Sequence, residues 1–183
     1  RRGYAEVRIG EQVHGAGKHR SILRERRALY KGRRLRVDSP PMESRSDIRV
    51  RYAESDQMGV AYHANYLVWC EVGRTDFIRA LGVTYAEMER GGVLLAVADA
   101  HVRFHASARY DDRVRIVTRL TGVRSRMVTF AYELVRLSEE GVEGERLASA
   151  TTTLVSLDAE GRPATLPAPM RELLARGLSA EAA

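Results

Sequence analysis

One long apolar segment, followed by four long alternating segments with only short turns between them, is the feature that most restricts how this chain can fold. The apolar segment runs from about His63 to Leu81 and contains Leu67, Val68, Trp69, Cys70, Val72, Phe77, Ile78 and Leu81. Its length and the Gly82 that follows it predict a helix. The alternating segments are Val93–Ala106, Arg113–Val123, Met127–Leu137 and Arg146–Leu157. In the second, Val114, Ile116 and Leu120 fall opposite Arg113, Arg115 and Arg119, as in a half-buried strand. The connections carry turn residues, such as Tyr110-Asp111-Asp112, Arg124-Ser125 and Glu139-Glu140-Gly141. Short turns predict antiparallel neighbours. One apolar helix against such a sheet is an α+β layer arrangement, with a curved sheet of about five strands wrapped round a central helix.

The fifth strand is expected at Ile48-Arg-Val-Arg-Tyr52, which alternates in the same way. A shorter helix is expected over Tyr85–Arg90, and another from about Met170. At about 100° per residue, Glu71 points the same way as Ala64, Leu67, Val68, Thr75 and Ile78. A carboxylate on an apolar stripe is costly unless paired. Two readings of Glu71 stand at this point: a buried ion pair, or a group that lines or supports a site.

Charge divides the chain at about residue 41. Residues 1–41 hold 12 Lys and Arg against 4 Asp and Glu, whereas residues 42–183 hold 18 against 20. The overall +6 therefore belongs to the leader, and no nucleic-acid partner is expected for the body. Gly10, Gly15, Gly17 and Gly32 interrupt the leader. The expectation is a basic, disordered segment over 1–41 and one folded domain over 42–183. A basic arm and a stretch upstream of a start at Met42 are the other readings. Cys70 is the one cysteine, so no internal disulfide is expected. No apolar run reaches the roughly 18 residues that span a membrane. The compartment expected is the cytoplasm.

The stretch Arg51-Tyr-Ala-Glu-Ser-Asp-Gln-Met-Gly-Val-Ala-Tyr-His-Ala-Asn-Tyr66 carries the chemistry. Asp56 precedes a helix, and Gly59 permits a sharp turn or close approach to a ligand. The helix start near His63 exposes amides and a dipole that favour negative charge. Thioester hydrolysis needs both parts. The carbonyl carbon needs a carboxylate nucleophile or an activated water. The carbonyl oxygen gains charge in the transition state, where aimed amides are worth roughly 3–4 kcal/mol. From these residues alone, Asp56 as a helix cap is the favoured reading.

The segment resembles the signature of the 4-hydroxybenzoyl-CoA thioesterase family of hotdog proteins, and within it the Tol–Pal-associated acyl-CoA thioesterase branch. Tyr52, the Asp56-to-Gly59 spacing, Val60-Ala-Tyr-His-Ala-Asn-Tyr66, Glu71 with Arg74, and Ala108-Arg-Tyr-Asp-Asp112 carry the likeness, which covers about residues 47–175. The resemblance implies a hotdog fold and hydrolysis of an acyl-CoA or acyl-carrier-protein thioester without cofactor or metal. It implies that Asp56 is catalytic, that the backbone amide at His63 polarises the carbonyl, and that Tyr52 contributes to activity. His63 as a mere helix cap and Tyr52 as a core residue are the structural alternatives. Gly59, Asn65, Glu71 and Arg109 are expected on the substrate side. Hotdog relatives bury the site between subunits, so a homodimer or homotetramer is expected. Ser107, where the branch usually has Pro, and Met58, where it often has Gly or Ala, depart from the pattern. Ser107 is expected to loosen the turn before Arg109, and Met58 to narrow the pocket.

Weaker candidates remain. His101 and His105 are four apart on a strand, which is not the helical spacing of a zinc site. Arg103, Arg109 and Arg113 are either coenzyme A phosphate ligands or solvated strand-edge arginines. Two other functions fit a hotdog chain: a dehydratase or hydratase, and a non-catalytic acyl-ligand-binding protein. The first needs a His and acid pair from different elements; the intact Asp56 and His63 argue against the second.

Overall fold

The alternation in the C-terminal half becomes a sheet with the expected spacing. In the computed structural model, which describes residues 43–178, the strands are β1 (Ser44–Arg49), β2 (Leu94–Phe104), β3 (Arg113–Val123), β4 (Met127–Leu137) and β5 (Glu143–Leu157). The helices are α1 (Asn65–Ala80), α2 (Tyr85–Arg90) and α3 (Ala168–Ala175). The leader and its boundary at 41/42 lie outside the described residues. All pairings are antiparallel in the order β1-β3-β4-β5-β2. Val114, Ile116, Leu120, Phe130, Leu134 and Leu154 turn inward from the sheet and are fully buried against α1. This is the hotdog arrangement.

The outer face of the sheet is laced by ion pairs. Arg115 pairs with Asp47 and Glu143, Arg119 with Glu43, and Arg146 with Glu133.

Three expectations need correction. The first strand is Ser44–Arg49, not Ile48–Tyr52. Its inward positions include Ser46, which is buried and donates to Asp76 at 2.7 Å, so the apolar alternation is blank where the strand begins. Tyr52 instead opens a single 3-10 turn, Tyr52–Glu54. Second, β2 pairs with β5 and not with its sequence neighbour β3. The His105 and Ala106 amides both donate to Leu147 O, and the chain then leaves the sheet. Residues 105–112 cross under the head of α1 instead of forming a hairpin.

The third correction concerns Glu71. The buried face of α1 is Tyr66, Trp69, Cys70, Gly73, Arg74, Phe77 and Ile78, an i, i+3, i+4, i+7 set. Glu71 lies on the other face with Leu67, Val68 and Val72, and its side chain is 66% exposed, 3.4 Å from Arg74. The helix is apolar on both sides, so hydropathy does not choose between them; the aromatic Tyr66, Trp69 and Phe77 mark the inner one. An exposed pair of this kind contributes about 0–1 kcal/mol. Glu71→Gln is therefore expected to leave the stability of the single chain within about 0.5 kcal/mol of wild type, read from urea midpoints.

Candidate active site

Asp56 sits in a loop closed at its neck. Ser55 bridges Ala61, the Asp56 amide donates to Val60 O at 2.9 Å, and the Gly59 amide donates to Asp56 O at 3.0 Å. Gly59 holds φ +71°, in the left-handed region that glycine adopts without strain. One carboxylate oxygen of Asp56, Oδ1, accepts the Met58 amide at 2.8 Å. That local turn is the only side-chain bond of Asp56 among the described residues, so it does not cap α1.

The head of α1 has no side-chain cap. The amides of Asn65, Tyr66 and Leu67 donate back to Tyr62, His63 and Ala64 carbonyls. Those of His63 and Ala64 have no partner among the described residues. Unpaired amides at a helix start favour negative charge. His63 is not held as a side-chain cap either.

Asp56 and His63 open onto one cleft of about 250 Å³, with Val60, Ala61 and Tyr66 on the same side. The opposite wall is Phe104, His105, Ala106 and Ser107, from the end of β2 and the crossing segment. The Ala108 block holds the two walls together. Ala61 N donates to Ala108 O at 2.8 Å, and Ala108 N donates to the buried Tyr66 hydroxyl at 3.0 Å. Arg136 fastens the block from below through Asp112 at 3.0 Å and Ser107 O at 2.7 Å.

Several residues singled out in the sequence lie off this cleft. Tyr52 is 79% exposed and stacks edge-on against Tyr110 at 5.6 Å, so it is not a core residue. Met58 is 82% exposed and does not line the cleft. Ser107 does line it, with its carbonyl tied to Arg136. Gly59 and Asn65 shape the wall without lining it; Asn65 Nδ2 donates to Glu54 O at 2.9 Å. Glu71 faces outward from α1, and Arg109 is exposed and does not line the cleft. Arg113 donates to Glu139 O at 2.9 Å. Burial pushes the Cys70 thiol up to about 12, only partly offset by Arg74, so it is inert at neutral pH. Among the described residues, no cluster of three His, Cys, Asp or Glu could hold a metal.

Sequence reasoning missed Tyr66, Phe104 and His105 as lining residues, and it missed Glu54. Glu54 is 5% exposed, and its carboxylate accepts the Arg51 amide and guanidinium, each at 2.8 Å, and the Trp69 indole N–H at 3.2 Å. The signal was Arg51-x-x-Glu54, the spacing at which a third-position Glu reaches back to the residue opening a turn. Burial alone would raise the Glu54 pKa, but the Arg51 and Trp69 bonds outweigh it and hold it below the ordinary 4.5. A lowered carboxylate contributes stability above its unfolded pKa and loses it as pH falls through the folded one. Glu54→Gln is thus expected to cost most near pH 7, with the gap to wild type closing below about pH 4 in urea titrations. A gap of equal size at both ends would show that charge is not what Glu54 contributes.

A sequence model of the Thioesterase-like superfamily matches residues 50–176. YneP of Bacillus subtilis is 38% identical over 117 residues, covering 64% of this chain and 81% of YneP. The acyl-CoA thioester hydrolase YbgC of Escherichia coli is 30% identical over 121 residues, covering 66% and 87%. A crystal structure of DHNA-CoA thioesterase from Staphylococcus aureus superposes with a TM-score of 0.62 at 34% identity, over 68% of this chain and 80% of that one. With the hotdog sheet and the cleft at the head of its central helix, the chain belongs to the thioesterase-like superfamily.

Proposed function

We propose that this thioester hydrolase acts on an acyl-CoA or an acyl-carrier-protein thioester in the cytoplasm, with Asp56 driving the reaction. The observation that carries this reading is that one cleft is lined by both Asp56 and His63, a residue whose backbone amide is unpaired among the described residues. Asp56 either attacks the thioester carbonyl carbon or takes a proton from the water that does. The carbonyl oxygen, now negative, is met by the amide donors of the α1 head, whose dipole favours it. Collapse of the tetrahedral species breaks the carbon–sulfur bond, and the thiolate leaves to be protonated. If Asp56 is the nucleophile, water then cleaves the resulting anhydride and restores the carboxylate. A single turnover in heavy-oxygen water separates the two routes, since only nucleophilic attack puts label into Asp56. Arg109, exposed two residues beyond the cleft-lining Ser107, meets the phosphates of the thiol carrier in this reading.

A second copy completes the site in this reading. β2 is an 11-residue edge strand with Val97 and Phe104 about half exposed. A long unpaired apolar edge favours strand pairing with another chain. Phe104 belongs to both the edge and the cleft, and His105 follows it on the cleft wall, so pairing along β2 would wall the cleft. Leu67, Val68 and Val72 offer a further apolar face for a tetramer. No helix among the described residues is long and apolar enough to cross a membrane.

The test is release of free thiol from a panel of aliphatic and aromatic acyl-CoAs and acyl-carrier proteins, with light scattering for the mass. Turnover on at least one class and a mass of two or four chains are expected. Water addition across an enoyl-CoA without thiol release would favour the hydratase, and binding without turnover the ligand-binding protein.

A further inference from the structure

The buried Glu54 is not required by the chemistry above, and a buried carboxylate is costly even when paired. We infer that Glu54 is a positioning residue, which fixes the Asp56 loop against the head of α1; this rests on Asp56 being the reacting carboxylate.

Glu54 joins three segments. Its carboxylate holds the 3-10 turn before the loop, through the Arg51 amide and guanidinium. Its backbone carbonyl accepts the Tyr62 amide at 2.7 Å, which clamps the far side of the loop, and Asn65 Nδ2 at 2.9 Å, which ties in the first residue of α1. The carboxylate also takes the indole N–H of Trp69, one helical turn beyond Asn65. Two attachments spaced about 6 Å along the helix axis set both the distance and the angle of the loop neck relative to α1. Asp56 is two residues beyond Glu54, and the unpaired His63 amide is one residue beyond Tyr62. The two reacting elements are thus held by the same residue, through its backbone carbonyl at Tyr62 and Asn65 and through its carboxylate at Arg51 and Trp69. Attack on a carbonyl whose oxygen sits at the α1 amides requires that distance to be right, and a shift of about 1 Å at a reacting centre can cost a hundredfold in rate. Arg51 lies mostly in solvent while the carboxylate it meets is buried, so the charge of Glu54 is matched without placing a cation in the cleft.

A residue that merely stabilises the fold would behave differently from one that acts through Asp56, and a double-mutant cycle separates them. Wild type, Glu54→Gln, Asp56→Asn and the double variant are compared for melting temperature and for kcat and KM on the best thioester of the panel. Glu54→Gln is expected to lower kcat by about tenfold to a hundredfold with KM changed by less than about threefold. In the Asp56→Asn background the same change is expected to cost less than about threefold, because the group being positioned is already inactive. A folded Glu54→Gln enzyme with near-wild-type kcat overturns the inference, as does an equal loss in both backgrounds. If Glu54→Gln does not fold, Trp69→Phe removes the indole donor together with part of a buried ring, so its turnover is compared per folded molecule; it is expected to lower kcat by about three- to tenfold, and no loss overturns the inference. An inactive Asp56→Asn beside a fully active Glu54→Gln removes this inference alone. An active Asp56→Asn removes the assignment of Asp56 and this inference with it.

Discussion

Replacing Asp56 with Asn is expected to lower turnover by about a hundredfold or more, as removal of a general base or nucleophile does, with little change in melting temperature. The structural side of the expectation comes from one hydrogen bond. Asp56 Oδ1 accepts the Met58 amide and makes no other side-chain bond among the described residues. Asn has the same shape and keeps an Oδ1 acceptor, so the turn that carries Gly59 and closes through Val60 is preserved. Only the negative charge is lost. An amide neither attacks a thioester carbonyl nor takes a proton from water at neutral pH. A folded Asp56→Asn protein that releases thiol at the wild-type rate would remove Asp56 from the mechanism. A variant that melts far below wild type would mean the loop depends on the charge, contrary to its half-buried, locally satisfied geometry.

The parts of the fold readable from sequence are those set by local periodicity. β3 and β4 have the bounds that alternation assigns, Arg113–Val123 and Met127–Leu137, and α2 spans Tyr85–Arg90 as expected. In these elements, side-chain period and turn residues agree. The misreadings share a different cause: each depends on a partner far away in the chain. Ser46 is an inward strand position because Asp76 answers it, thirty residues on. β2 leaves its sequence neighbour because β5 offers it ten paired positions, Leu94 to Phe104 against Leu157 to Ala148. Glu71 faces outward because Tyr66, Trp69 and Phe77 turn the other side of α1 to the sheet, with Gly73 at the close approach to β3. The site follows the same rule. Asp56 and His63 lie within one short segment whose motif is legible, and they share the cleft. Glu54 acquires its meaning from Trp69, and the opposite wall from β2, neither of which local spacing reveals.

Gly73 carries the second large expectation. It is buried in the middle of α1, where the helix crosses β3. A Cβ at this position would stand 2.4 Å from Thr118 Oγ1 and 2.7 Å from Ile116 Cγ2, closer than such atoms approach without one of them moving. Helix propensity alone favours Ala over Gly by about 1 kcal/mol. Against that, both neighbours are β-branched, stiff at χ1, and fixed in a central strand. Neither is the free end of a flexible chain, so relief requires α1 to lift from the sheet or β3 to bend. Overpacking of this kind costs about 1–3 kcal/mol and sometimes more. The clash is expected to win by up to about 2 kcal/mol, and Gly73→Ala to lower the melting temperature by roughly 4–8 °C. A second substitution locates the cause. Thr118 Oγ1 is buried with no hydrogen-bond partner among the described residues, so Thr118→Ala removes the nearest atom without breaking a bond seen there. Combined with Gly73→Ala it should recover part of the loss but not all, because Ile116 Cγ2 remains, and the pair should be clearly non-additive. A Gly73→Ala protein that melts at or above wild type would show that propensity outweighs contact here, and that the spacing of α1 on β3 is set elsewhere along the helix.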